Sequence, residues 1–334
     1  MGKHPDGAKR TLFLFFTIAA LIVLAAFLYV YARTSLKAIR LGMPMTRSAY
    51  AGIMARTIPS LAGMALSSAL MAVLSLAFQT ITENRVLTPA MIGFDSVFIA
   101  SQALLVFLFG ASTPLFANSA LNYLFSAALM MTVSVSMYGI ILRKNKNNIV
   151  FLLLFGLILS GIVRSGVNYI EVLMDPDEFQ QVRSATSVTV NNMNTAIIFI
   201  TAPLMLLLTA LMMRRHRVYD VMSLGEANAR NLGIAYTEEL RLNLLLIAAG
   251  MSVVTAMIGS LAFLGLIAVN ISRELFKTYR HKILFLGSAL TACLILIAGQ
   301  TLVELLEYAV PVTVIIDLAG CSYMFFLILR ENRI

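Results

Sequence analysis

The sequence predicts an all-α, polytopic membrane protein with about ten transmembrane helices and both termini in the cytoplasm. Three observations predict it. The 334 residues are 60% hydrophobic and only 12% charged, whereas a soluble domain carries roughly 25% charged residues. The apolar residues fall in ten runs, most of them near the 20 or so residues that a helix needs to cross about 30 Å of hydrocarbon. The runs lack the ten-residue alternation of an outer-membrane barrel, and of the structures that satisfy their backbone in lipid only helices remain.

The runs follow in order. Residues 11–31 come first, preceded by Lys3, Lys9 and Arg10. The stretch Leu12–Val30 is too long for a secretory signal and no small-x-small cleavage site follows it, so it is a retained span. Residues 58–78 open with Ile58-Pro59 and carry Gly63, Ala65, Ser67, Ser68 and Ala69, small residues that suit close helix packing in lipid. Residues 90–109, 119–142, 149–170, 196–213 and 240–259 are plain apolar runs. Residues 262–275 are short and follow Gly259-Ser260, a partial span that relies on its neighbours. Residues 283–303 and 311–329 complete the set. Between them lie two long polar stretches. Residues 171–195 hold Glu171, Asp175, Asp177 and Glu178 and end in Asn191-Asn192-Met193-Asn194. Residues 214–240 form a basic, helix-compatible loop.

Orientation follows from the basic residues. With the N-terminus in the cytoplasm, 18 of the 25 Lys and Arg residues fall inside and 7 outside. Most of the outside seven crowd into residues 32–57. The acidic loop falls outside. The net charge of +9 is accounted for by topology and attraction to lipid headgroups, so no nucleic-acid partner is expected.

Several chemistries are excluded. There is no G-x-x-x-x-G-K-[ST] phosphate loop, so the chain cannot itself use ATP, and no H-E-x-x-H or G-x-S-x-G. Cys293 and Cys321 lie in apolar runs and read as core filler. His4 is terminal, and His216 and His281 stand in basic loops, where they read as solvated. Ionisable residues within spans mark function, and here they are few: Asp317 two turns into the last run, with Glu304 and Glu307 at a helix end. A coupled carrier needs a membrane acid with a partner, and Asp317 stands alone. No bound cofactor or metal is expected.

Specific strings then narrow the reading. Arg56-Thr57-Ile58-Pro59, then Gln79, then Glu83-Asn84-Arg85-Val86-Leu87-Thr88-Pro89-Ala90-Met91-Ile92-Gly93 resemble the FecCD-type permeases, in which R-x-P-R precedes a small-residue helix, then Q and N-P-L-A-x-P-x-x-L-G. Leu224-Gly225-Glu226 through Leu232-Gly233, and Gly259-Ser260-Leu261-Ala262-Phe263-Leu264-Gly265-Leu266, resemble that family's L-G-E-x-x-A-x-x-L-G and G-P-I-x-F-V-G-L. The resemblance runs from about residue 50 to the end. Phe78–Pro89 with Phe276-Lys277-Thr278-Tyr279 is similar to a branch that serves catechol or related siderophores beside a second, different permease. The departures are Ser60 for the second Arg, Arg85 near the lost Pro, Ser260 for the Pro of G-P-I, and Ala268-Val269-Asn270 for V-P-H.

The resemblance implies a type II ABC importer permease of a bacterial inner membrane that moves iron–siderophore complexes. Its partners would be two ATPase subunits, a second permease and an extracytoplasmic siderophore-binding protein. It implies that 218–233 is a coupling helix carrying Leu224, Gly225, Glu226, Arg230, Leu232 and Gly233. Gly225 and Gly233 would permit tight turns, and Glu226 would sit at a helix N-terminus. It implies that Arg56 and Arg47, and more weakly Arg40, meet acids of the binding protein, and that Gly259, Ser260, Phe263 and Gly265 line or gate the path. Haem or a corrinoid is the alternative cargo, and a secondary transporter the alternative class.

Overall fold

The computed structural model describes residues 5–36, 46–144, 149–187, 193–308 and 310–331; His4, Arg40, Asn191 and Asn192 lie outside the described residues. Each of the ten apolar runs forms a helix. In chain order the helices, with four shorter ones between the runs, are α1 (Pro5–Tyr31, running into a π-helical turn), α2 (Arg47–Ile81), α3 (Phe94–Phe109), the single turn α4 (Pro114–Ala117), α5 (Ser119–Lys144), α6 (Ile149–Leu173) and α7 (Pro176–Thr186). Then come α8 (Thr195–Arg214), α9 (His216–Met222), α10 (Glu226–Asn231), α11 (Tyr236–Ile258), α12 (Leu264–Phe276), α13 (His281–Leu305) and α14 (Val312–Glu331). Among the described residues, seven helices are long and apolar enough to cross a bilayer, and Phe94–Phe109 and Val312–Phe325 are shorter apolar helices.

The second run differs most from its expected bounds. It is one helix of 35 residues passing through Pro59. Ring closure at Pro59 removes one helical N–H, and hydroxyls nearby bond back to the helix: Thr57 Oγ1 donates to the Ile53 carbonyl at 2.8 Å and Ser60 Oγ to the Arg56 carbonyl at 2.9 Å. Burial starts at Thr57 and is almost continuous from Ser67 to Ile81.

That buried half makes α2 the axis of the bundle. It packs against α8, α11, α12 and α13, while α1 lies along α13 and α14 against α12 and α13. Lipid tails are as apolar as leucine, so helices associate in a membrane by close packing rather than by escape from water. The approaches are close here. A Cβ on Gly63 would stand 2.8 Å from Met193 Sδ, one on Gly250 2.6 Å from Leu74 Cδ1, and one on Gly265 2.7 Å from Ser75 Cβ. Gly63, Ser67 and Ser68 are buried as packing predicts, and Ser68 Oγ reaches Cys293 Sγ at 3.4 Å. Cys293 is core, whereas Cys321 is exposed on α14 and fills nothing. A second, smaller core of Ala103, Val106, Val167, Met174 and Val182 joins α3, α6 and α7.

Candidate functional site

Two regions concentrate polar chemistry: the stretch between α8 and α11, and a meeting point of short helices inside the bundle.

Between α8 and α11 the expected single helix over 218–233 is corrected to two short helices, α9 and α10. They are separated at Ser223-Leu224-Gly225 because Gly225 takes φ +89. Gly233 at φ +85 ends the second. Both are left-handed values that side chains resist, so the two glycines form the turns their spacing predicts. Glu226 opens α10 as expected, but its carboxylate holds Arg230 at 2.7 Å, and Arg230 also donates to Thr237 Oγ1 at 3.0 Å. The arginine is engaged within the chain. Leu224 and Leu232, at the two ends of α10, are 54% and 61% exposed, two apolar knobs on an otherwise polar stretch.

α9 is fastened to the bundle. Asp220 Oδ1 accepts from the His281 backbone N–H at 2.7 Å and pairs with ring Nδ1 at 2.8 Å, and ring Nε2 meets Thr80 Oγ1 at 2.9 Å. This corrects the expectation of a solvated His281: it is 3% exposed, and its ring lies beside Tyr219 and Phe285. His216 is half-buried, with Nδ1 3.1 Å from the Met213 carbonyl. Tyr219 donates to Asn243 Oδ1 at 2.6 Å. Burial pushes the Tyr219 phenol well above its ordinary value, with Arg215 opposing, so the hydroxyl keeps its proton as donor. Arg215 in turn pairs with Glu239. The chain Asp220–His281–Thr80 therefore joins α9 to the end of α2 and the start of α13, while Tyr219–Asn243 joins it to α11.

The second region corrects the view that Asp317 stands alone. Asp95, in the first turn of α3, is 7% exposed. One carboxylate oxygen accepts from Ser260 Oγ, and the other is buried without a partner. Arg164 of α6 donates through Nε to Ser96 Oγ at 3.3 Å, and both Arg164 and Asp317 lie within electrostatic range of Asp95. Of the expected path residues, Gly259 takes φ +93, Ser260 holds Asp95, Phe263 caps α12 and abuts Gly320, and Gly265 packs on α2. Ser260 alone faces charge.

Sorting of the basic residues by side places Arg164 outside, yet it stands within α6. Gly161, Arg164, Ser165 and Asn168 are exposed at spacings that share one helix face. A charged side chain facing lipid costs at least about 3 kcal/mol, so this face meets water or protein. A charge 15 residues into an apolar run was the signal that could have found it.

Arg47 and Arg56 are both exposed on α2. Nine positions apart, they are about two and a half turns from each other and leave opposite faces. They do not form one patch by helix face.

Comparison with known proteins agrees with this geometry. Residues 12–330 match the model of the FecCD transport family. The petrobactin import system permease protein YclO of Bacillus subtilis is 36% identical over 279 residues, 83% of this chain and 89% of that protein. The petrobactin import system permease protein FatC of Bacillus anthracis is 28% identical over 334 residues, 99% of this chain and 92% of that one. A solved structure described as an inward-facing conformation of a metal-chelate type ABC transporter shares the fold with TM-score 0.76 at 20% identity, covering 96% of this chain and 99% of its own. A match over nearly the whole chain, with the small-residue packing on α2 and the glycine-bounded stretch in place, makes this chain a member of the FecCD transport family.

Proposed function

We propose that this chain is the membrane-spanning permease subunit of an ATP-driven ABC importer that carries iron–siderophore complexes into the cytoplasm by alternating access. The observation that carries it is the pairing of family membership over residues 12–330 with relatives named as petrobactin import permeases. The chain is a multi-pass protein of the bacterial inner membrane. Of two separate ATPase subunits, one would seat on α9 and α10, with Leu224 and Leu232 as apolar contacts, and the other on the second permease. An extracytoplasmic siderophore-binding protein would dock near Arg56, where exposed charge steers encounter more than it tightens it. A second permease, of a different sequence, would cover the polar face of α6, so that Arg164 and Asn168 line a path between the two chains. The path needs no tight site and no bound cofactor.

ATP binding would draw the ATPases together and move α9. Because α9 is bonded to α11 and α13, and α13 in turn to α2, the displacement would pass to those helices as a rigid-body switch.

One observation favours a secondary transporter: Asp95, Arg164 and Asp317 are the membrane-embedded acid and partner that such carriers use. ATP dependence separates the two. Cells lacking the gene and complemented cells are given radiolabelled iron as petrobactin, other siderophore, haem and corrinoid complexes. Uptake of a siderophore complex should return with the wild-type gene, cease on ATP depletion, and not return with Leu224→Glu plus Leu232→Glu. A double charge swap at Glu226 and Arg230 is a weaker probe, because it rebuilds the ion pair in reverse. Uptake that persists without ATP would sink the ATP-driven reading, and unchanged iron uptake without the gene would sink the cargo.

A further inference from the structure

The turn that leads into α10 also borders a cavity whose polar lining the coupling role does not account for. A cavity of about 670 Å³ lies between the end of α2, the turn Ser223–Gly225, and the turn from α12 into α13. Gln79, Arg85, Arg273 and Lys277 line it, with Glu83 as its one lining acid. Gln79 is 2% exposed, and neither its amide nitrogen nor its amide oxygen has a hydrogen-bond partner. An unmet buried amide is costly and calls for an explanation at the site where it stands.

The cations pose the same problem. Arg85 and Arg273 are near enough to repel one another, and no ion pair joins either to an acid among the described residues. Glu83 lies instead toward Gly225, where an added Cβ would stand 3.5 Å from its Oε1. Glu83 and Lys277 hold positive φ, 51° and 44°, and strain of this kind gathers at ligand clamps.

We propose that this cavity binds a phosphate-class oxyanion, held by Arg85, Arg273 and Lys277 with the Gln79 amide donating to it. Guanidinium forks match the oxygens of phosphate in pairs. A phosphate would neutralise the repulsion between the arginines and satisfy the Gln79 NH₂, while a hydroxyl beside the phosphate would satisfy the Gln79 carbonyl. A phospholipid headgroup and a soluble phosphate present that same chemistry. The site is independent of which complex is transported.

The test uses the full chain in nanodiscs of phosphatidylcholine, with the melting temperature read as inorganic phosphate is added against sodium chloride of equal ionic strength. Phosphate should stabilise the wild type saturably, with half-saturation about tenfold higher in Arg85→Gln and in Lys277→Gln. Arg85 and Lys277 are both exposed, so these variants should fold. Arg217→Gln, which removes an exposed cation that does not line the cavity, should respond as wild type does. Gln79→Leu should melt no lower than wild type without phosphate yet respond less to it, which a purely structural glutamine would not do. In nanodiscs containing phosphatidylglycerol, a higher melting temperature that Lys277→Gln lacks, with no further effect of phosphate, names lipid as the source. A phosphate response unchanged by phosphatidylglycerol names a soluble one. Stabilisation by chloride equal to that by phosphate, equal responses in the cavity variants, or no response to either source would overturn the proposal.

Discussion

At the scale of single residues the molecule turns on Asp95. Its carboxylate is buried, and the bond from Ser260 fixes the backbone between α11 and α12 to the first turn of α3. A helix N-terminus favours a negative charge, and Arg164 is within range, so the site holds the acid at tolerable cost. In Asp95→Asn the amide oxygen still accepts from Ser260. Asp95→Leu leaves that hydroxyl without its acceptor, worth on the order of 1–3 kcal/mol. Melting curves in detergent should rank wild type and Asp95→Asn close together with Asp95→Leu several degrees lower. Equal melting of all three would show that the bond does not hold the segment. The sequence concealed this residue. Asp95 stands near the start of its run, and its partner is 165 positions away. His281 misled for the same reason: Arg280 and Lys282 beside it suggest solvent, while its burial is decided by Asp220, 61 positions earlier.

At the scale of elements, what matters is how α9 and α10 are mounted. Both glycine turns were legible, because a left-handed backbone position is nearly a property of the residue. The break between the helices was not, since it depends on where α9 is tied down. If the stretch transmits a push from an ATPase, the ties at Asp220 and Tyr219 are what make it stiff. Asp220→Asn keeps the shape but weakens the two bonds to His281, and Tyr219→Phe removes the one to Asn243. Siderophore-dependent iron uptake should fall about tenfold or more in the double variant, as expected for groups that position a moving part, while the amount of protein in the membrane stays within twofold. Full uptake by the double variant would mean that α9 works without being fixed to α2, α11 and α13.

At the scale of the whole molecule, helix lengths and charge together specify how the bundle sits in a bilayer. At 1.5 Å per residue α2 is about 52 Å long, well beyond the roughly 30 Å of hydrocarbon, and its exposed first turns are the part that projects. α12, at 13 residues, is about 20 Å and cannot cross. Its N-terminus must lie within the membrane, where only protein can satisfy the backbone, and Asp95 meets Ser260 just there. Apolar periodicity made the helices legible, because lipid imposes length and polarity on every span. It could not show that a short run ends inside the bundle. The topology expected from the sequence, an N-terminus in the cytoplasm and a crossing by each of the first six runs, would put α7, with Asp177 and Glu178, outside, and α9–α10 inside. Single cysteines test this in a Cys321→Ser background, since Cys321 is exposed and Cys293 is buried. Asp177→Cys should react with a membrane-impermeant maleimide on intact spheroplasts, and Ser223→Cys only after permeabilisation. Both sites lie at exposed positions outside the apolar helices, so failure to label cannot be laid to burial. The reverse pattern would invert the molecule and place the cationic cavity and the α9–α10 stretch outside. Labelling of both from one side would mean an even number of crossings between them, and with it a re-entrant path for α8.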